Sequence, residues 1–135
     1  MPMMIRSILM PLVLLLPSTL HAQHSGTMPC DSAKTTLDMR RCASQALEEG
    51  KRDLDKYLKE ARRVASKSAL LDSAQAAWER YRDIACRAAG SEYEGGTIKP
   101  VVVLNCLLDL TRKRVHELYD DYLGMSDTPL PEPKP

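Results

Sequence analysis

The sequence predicts an all-α fold, a compact antiparallel three-helix bundle stapled by two disulfides. Three observations carry that expectation. Apolar residues recur at steps of three and four through three long segments. Short polar or glycine-containing breaks separate those segments, which makes neighbouring helices antiparallel. Four cysteines lie close to the expected helix ends. Only Val101 to Val103 admit an extended alternative, at the start of the third helix.

The first residues read as a segment outside the fold. One cation, Arg6, precedes an apolar run from Ile8 to Leu16, then Pro17 and Leu-His-Ala, so residues 1–22 are expected to be a secretory signal peptide cut after Ala22. The run is much shorter than the roughly 20 residues that a membrane span needs. No membrane anchor is expected after cleavage. Residues 23–34 are small and polar, with Gly26 and Pro29, and read as an extended lead-in held through Cys30.

The first helix is expected from about Thr35, with Met39, Cys42, Ala43, Ala46, Leu47, Gly50, Leu54, Tyr57, Leu58, Ala61, Val64 and Ala65 on its apolar stripe. Gly50 costs about 1 kcal/mol against alanine in a helix, so a bend or the close approach of a neighbouring helix is expected there. The opposite face mixes acids and bases and reads as solvated. Ser66 to Ser68 form a polar break, with Ser68 the expected N-cap of a second helix from Ala69 to about Ala89.

That second helix holds the densest pattern in the chain, Gln75 to Cys86. Leu70, Leu71, Ala74, Ala77, Trp78, Tyr81, Ala85 and Ala88 make one broad apolar stripe, expected to face the core. Gln75, Trp78, Arg82 and Cys86 run down one edge of it. Gln75, Trp78, Tyr81, Arg82 and Asp83 are therefore expected to support the core, with Arg82 stacked on the ring or paired with a carboxylate from the third helix. The alternative is an exposed Trp, Arg and Tyr anchor for an interface, and burial decides between the two.

Gly90 is the expected stop of the second helix. The loop that follows, Glu92, Tyr93, Glu94, Gly95, Gly96 and Thr97, is the best-marked internal loop, and its glycine pair permits a sharp turn that presents Tyr93. A third helix is expected from near Pro100 to about Leu123, with Leu104, Leu107, Leu108, Thr111, Val115, Leu118 and Tyr122 buried. Residues 35–123 thus form one domain. Residues 124–135 hold four prolines without apolar period and are expected to be a disordered tail.

Composition narrows the function classes. Removing Arg6 from the 19 Lys and Arg leaves them equal in number to the 18 Asp and Glu, and the two signs are interleaved, which argues against nucleic acid as a partner. With no phenylalanine and one tryptophan the core must be mostly Leu, Val and Ala, so cross-links matter. In an exported chain the four cysteines read as two disulfides; of three possible connectivities, the spacings favour Cys30 with Cys42 and Cys86 with Cys106. A zinc site is disfavoured because no Cys-x-x-Cys occurs and only His24 and His116 follow the signal segment. No metal and no cofactor are expected.

Catalytic constellations are equally thin. His116, beside Arg112, Lys113 and Glu117, reads as a surface histidine without a nucleophile to activate. Glu79 and Asp83 lie one turn apart, but Arg80, Arg82 and Arg87 surround them and would hold both ionised, which suits charge pairing rather than glycoside chemistry. Gly95-Gly96 lacks the Lys-Ser or Lys-Thr of a phosphate loop. No enzyme is expected, and no catalytic residue is assigned.

Taken together, Cys30, the run Thr36-Leu37-Asp38-Met39-Arg40-Arg41-Cys42-Ala43, Asp53-Leu54-Asp55-Lys56-Tyr57, the Gln75 to Cys86 stretch, Gly95-Gly96-Thr97 and Cys106 with Leu110-Thr111-Arg112 and Arg114 resemble the lysozyme inhibitor LprI-like domain. The resemblance covers essentially the whole expected domain. It implies a small helical domain exported to the bacterial periplasm or secreted, with lysozyme or another envelope protein as partner. One implied role is to block the lysozyme cleft and so protect peptidoglycan; the alternative is an interaction module without lysozyme inhibition. The chain departs from the family at Lys51-Arg52-Asp53-Leu54-Asp55-Lys56 and in lacking a lipidation cysteine, which points to a free form. The Glu92 to Thr97 loop is the expected partner-binding surface.

Overall fold

The computed structural model describes residues 30–134; the expected signal peptide and the first part of the lead-in lie outside them. Three helices carry the fold: α1 (Thr36–Val64), α2 (Ser68–Ser91) and α3 (Lys99–Leu118). A 3-10 turn at Cys30–Ser32 precedes α1, and a π-helical turn at Tyr119–Leu123 continues α3. No strand occurs among the described residues. Where the lead-in is described it is therefore a turn rather than an extended segment, closed by the Ala33 N–H donating to the Cys30 carbonyl.

The start of α1 shows why the helix begins there. Thr35 has extended backbone angles, and its Oγ1 accepts from the Asp38 N–H at 3.1 Å while donating to the Asp38 carboxylate at 2.6 Å. One orphan N–H is satisfied, and the acid sits where the helix dipole favours it. Cys30 is bonded to Cys42 one turn further on, with Cα atoms 5.6 Å apart. At the far end, Arg62 Nε donates to Asp72 Oδ1 at 2.6 Å and so bridges the corner between α1 and α2.

The helices run up, down and up, so α1 and α3 are parallel and α2 is antiparallel to both. Gly50 faces Leu108 and Thr111, and Tyr57 packs edge-on against Tyr119, its ring centroid 6.4 Å away. Cys86 bonds Cys106, while Gln75 meets Arg114 nearer the other end. Most of the packing runs through α3, which lies along both of the others; α1 and α2 meet far less. The main core cluster joins Leu54, Tyr57, Leu58 and Ala61 to Leu71, Val115, Leu118 and Leu123.

Four expectations change here. The α2 stripe does not face the core: Tyr81 is 60% exposed and Leu70 66%, and Ala74, Ala77 and Ala88 are exposed with them. The reason is rotational. Cys86 must point at α3, and Tyr81, five residues back, lies about 140° around the helix from it at 100° per residue. The buried arc is instead the edge Leu71, Gln75, Trp78, Arg82 and Cys86.

Ser68 does not cap α2 with its side chain; Lys67 takes the cap position, and its carbonyl accepts from Leu70 and Leu71. Gly90 does not stop α2 either. The helix continues to Ser91, and the only left-handed glycine among the described residues is Gly95. Gly90 is buried because α3 comes so close that an alanine Cβ there would lie 2.5 Å from Val103 Cγ2.

The tail, expected to be disordered, folds back over α1 and α3. Leu130 packs on the core cluster, and the Tyr57 hydroxyl donates to the Pro131 carbonyl at 2.6 Å. Its composition is that of a disordered segment, but one leucine and a few carbonyls find partners far away in sequence.

Candidate functional site

The loop from Glu92 to Thr97 is exposed at every position, with Tyr93 at 46%. It is also firmly held. The Cys86–Cys106 bond ties the two helices it joins, with Cα atoms 5.5 Å apart, and the Gly90 contact with Val103 brings their backbones together. Within the loop, Tyr93 N–H donates to Gly90 O at 3.1 Å, Gly96 N–H to Tyr93 O at 3.0 Å and Lys99 N–H to Gly96 O at 3.2 Å. Gly95 adopts φ +75°, a conformation that side-chain-bearing residues resist. Lys99 pairs with Glu94 across the turn. Consecutive tight turns thus leave Glu92 and Tyr93 outward on a rigid support.

Behind the loop, α2 and α3 are clamped by a polar cluster. Gln75 is 3% exposed; its Oε1 accepts from Arg114 Nε at 3.1 Å and its Nε2 donates to Glu79 Oε1 at 3.2 Å. Trp78 is half-buried, with the Arg82 guanidinium 5.1 Å and that of Arg114 5.9 Å from its ring centroid. Arg82 also donates to Asp83 Oδ1, at 3.0 and 2.9 Å, so its carboxylate comes from the next residue of α2 rather than from the third helix, and Arg114 pairs with Glu117 at 2.9 Å. The ring's negative faces suit flanking cations, and each cation keeps a carboxylate. Trp78 and Arg82 are half-buried in this network, and Glu79 and Asp83 are occupied in it. Tyr81 stands apart from it on the outer face.

Sequence reasoning assigned no role to Arg114, which makes the decisive bond from α3 to Gln75. It overlooked Tyr57 as a polar site as well. Burial, with smaller contributions from Asp53 and Tyr119, raises the Tyr57 phenol above its ordinary pKa. His116, expected at the surface, is half-buried beneath the tail, with Nε2 3.1 Å from the Lys134 carbonyl. Among the described residues no group of three or more His, Cys, Asp or Glu is placed to hold a metal ion. No described helix is long and apolar enough to cross a membrane.

The loop is thus exposed and braced on a helical domain stapled by two disulfides. Residues 29–118 match the family model described as lysozyme inhibitor LprI, and the chain belongs to that family. Over 48 residues it is 52% identical to a protein of Rhizobium meliloti (strain 1021) described as uncharacterized protein R02472. That stretch is 36% of this chain and 34% of the relative, so the match spans about a third of the relative's length. No solved structure matches the chain.

Proposed function

We propose that the protein is an exported, periplasmic lysozyme-inhibitor-like binding protein that acts through the Glu92 to Thr97 loop. The observation that carries this reading is the loop's preorganisation within the region that matches the family. A rigid loop loses little conformational freedom on binding, so more of its contact energy becomes affinity. Tyr93 offers an aromatic surface to a concave cleft, and Glu92 an acidic group to a basic enzyme. The two disulfides suit an oxidising compartment such as the periplasm. In this role the protein binds and blocks; it turns nothing over.

A second reading, an interaction module for another envelope protein without lysozyme inhibition, has one observation in its favour. The chain's formal net charge is only +1, and Glu94 is already paired with Lys99, so long-range steering towards a cationic enzyme is weak. Inhibition assays with the oxidised protein against c-type, g-type and invertebrate-type lysozymes, at low and moderate salt, separate the two. The first reading expects saturable inhibition of at least one enzyme at stoichiometric dose, lost when Tyr93, Gly95 and Gly96 are all substituted in a protein that keeps its helicity. Full inhibition by that variant removes the loop from the mechanism. No inhibition of any of the three leaves the second reading.

A further inference from the structure

A groove of about 520 Å³ lies between α1 and α3, and the tail lines one end of it. Its contacts to the tail are of an unusual kind for a mere terminus. The Tyr57 hydroxyl donates to the Pro131 carbonyl and His116 Nε2 lies 3.1 Å from the Lys134 carbonyl, so two of the tail's contacts are to its main chain. Leu130 inserts against the core cluster, and Thr128 Oγ1 lies 3.5 Å from Glu60 Oε1. Beyond the tail the groove stays open towards Ala46, Glu49 and Gly50.

Two further observations point away from a purely structural strap. The family match ends at Leu118, so Tyr57 and His116 belong to the shared domain while the segment they hold does not. The groove walls also carry both signs, Glu49 and Asp53 with Lys56 and Arg112, alongside Glu132 and Lys134 of the tail. An extended segment with alternating prolines has exposed carbonyls, no internal hydrogen bonds and little entropy to lose on docking.

We propose that the groove between α1 and α3 is a docking site for an extended, proline-containing segment of a partner protein, with the chain's own tail as a competing occupant. The tail stands in for the ligand: a leucine on the core cluster, carbonyls at Tyr57 and His116, and an acid and a base between prolines. A tethered occupant acts at an effective concentration on the order of millimolar, so a free segment meets a groove that is mostly filled. Loosening the tail raises the apparent affinity by the fraction of groove it releases. This proposal does not depend on lysozyme inhibition, because it uses a different surface.

The test uses the full oxidised chain and a fluorescent peptide of the tail sequence Asp-Thr-Pro-Leu-Pro-Glu-Pro-Lys, read by anisotropy. Leu130→Ser, which removes the tail's apolar anchor, is expected to bind the peptide at least tenfold more tightly than the unsubstituted chain. Adding Tyr57→Phe is expected to reverse most of that gain. Equal binding by the folded Leu130→Ser variant and the unsubstituted chain overturns the proposal, as does a gain that Tyr57→Phe leaves intact. Should Leu130→Ser lose its helicity, the unsubstituted chain titrated with excess unlabelled peptide gives the answer by NMR. Saturable shifts at Val115 and His116, together with release of the Leu130 signals, support the groove; unshifted signals overturn it. A concentration-dependent dimer that exchanges tails, with no peptide binding, assigns the groove to a second copy and overturns the partner reading.

Discussion

At Trp78, two guanidiniums and one helix face meet. Arg82 from α2 and Arg114 from α3 flank the ring, and Gln75 receives the bond that keeps Arg114 in place. Tyr81, a residue of similar size three positions on, shares none of this and is 60% exposed. Truncating the two should therefore give unequal results. Trp78→Ala is expected to cost about 2–3 kcal/mol, below the 3–5 typical of a fully buried aromatic because the ring is half-exposed, whereas Tyr81→Ala is expected to stay within about 0.5 kcal/mol. Urea unfolding of both variants checks the contrast, and similar losses would restore Tyr81 to the core. The cluster was half legible in the sequence. Spacing placed Gln75, Trp78, Arg82 and Cys86 on one edge, but Arg114 lies on another helix and nothing local announces it.

Among the elements, α2 owes its setting to two residues near its C-terminal end. Cys86 fixes its rotation through the bond to Cys106, and Gly90 fixes its distance from α3. Alanine at Gly90 gains about 1 kcal/mol in helix propensity but must displace the Val103 side chain, and such overpacking costs typically 1–3 kcal/mol. Gly90→Ala is therefore expected to be a net loss, and a larger one than Gly50→Ala, where the new Cβ would lie 3.1 Å from the Leu108 Cδ1. Thermal unfolding of the two variants gives the order. If Gly90→Ala proves the more stable, α3 yields at Val103 and the loop is held less closely than the contact implies. From the sequence, Gly90 read as a stop because glycine after an apolar run usually ends a helix. A close neighbour asks for glycine just as strongly, and the two demands look identical in a string of letters.

For the molecule as a whole, the cross-links compensate for a thin core. Each bond closes a short stretch, 12 residues for Cys30–Cys42 and 20 for Cys86–Cys106, and each is worth about 3 kcal/mol in the chain-entropy model. A domain of this size has roughly 5–15 kcal/mol in hand, so reducing both bonds removes a large share of it. Circular dichroism melts with and without reductant are expected to differ by well over 10 °C, at 4–8 °C per kcal/mol for a small domain. A shift of only a few degrees would mean that α3 alone organises the bundle. The helices, their approximate ends, the short-range disulfides and the exposed glycine loop follow from the sequence by itself, because periodicity, breaks and spacing are local properties that neighbours along the chain enforce. Which face of α2 is buried, why Gly90 is a glycine, and where the tail lies were decided only in the tertiary structure. Each depends on a partner distant in sequence: Cys106 turns α2, Val103 crowds Gly90, and Tyr57 donates to a carbonyl 74 residues away.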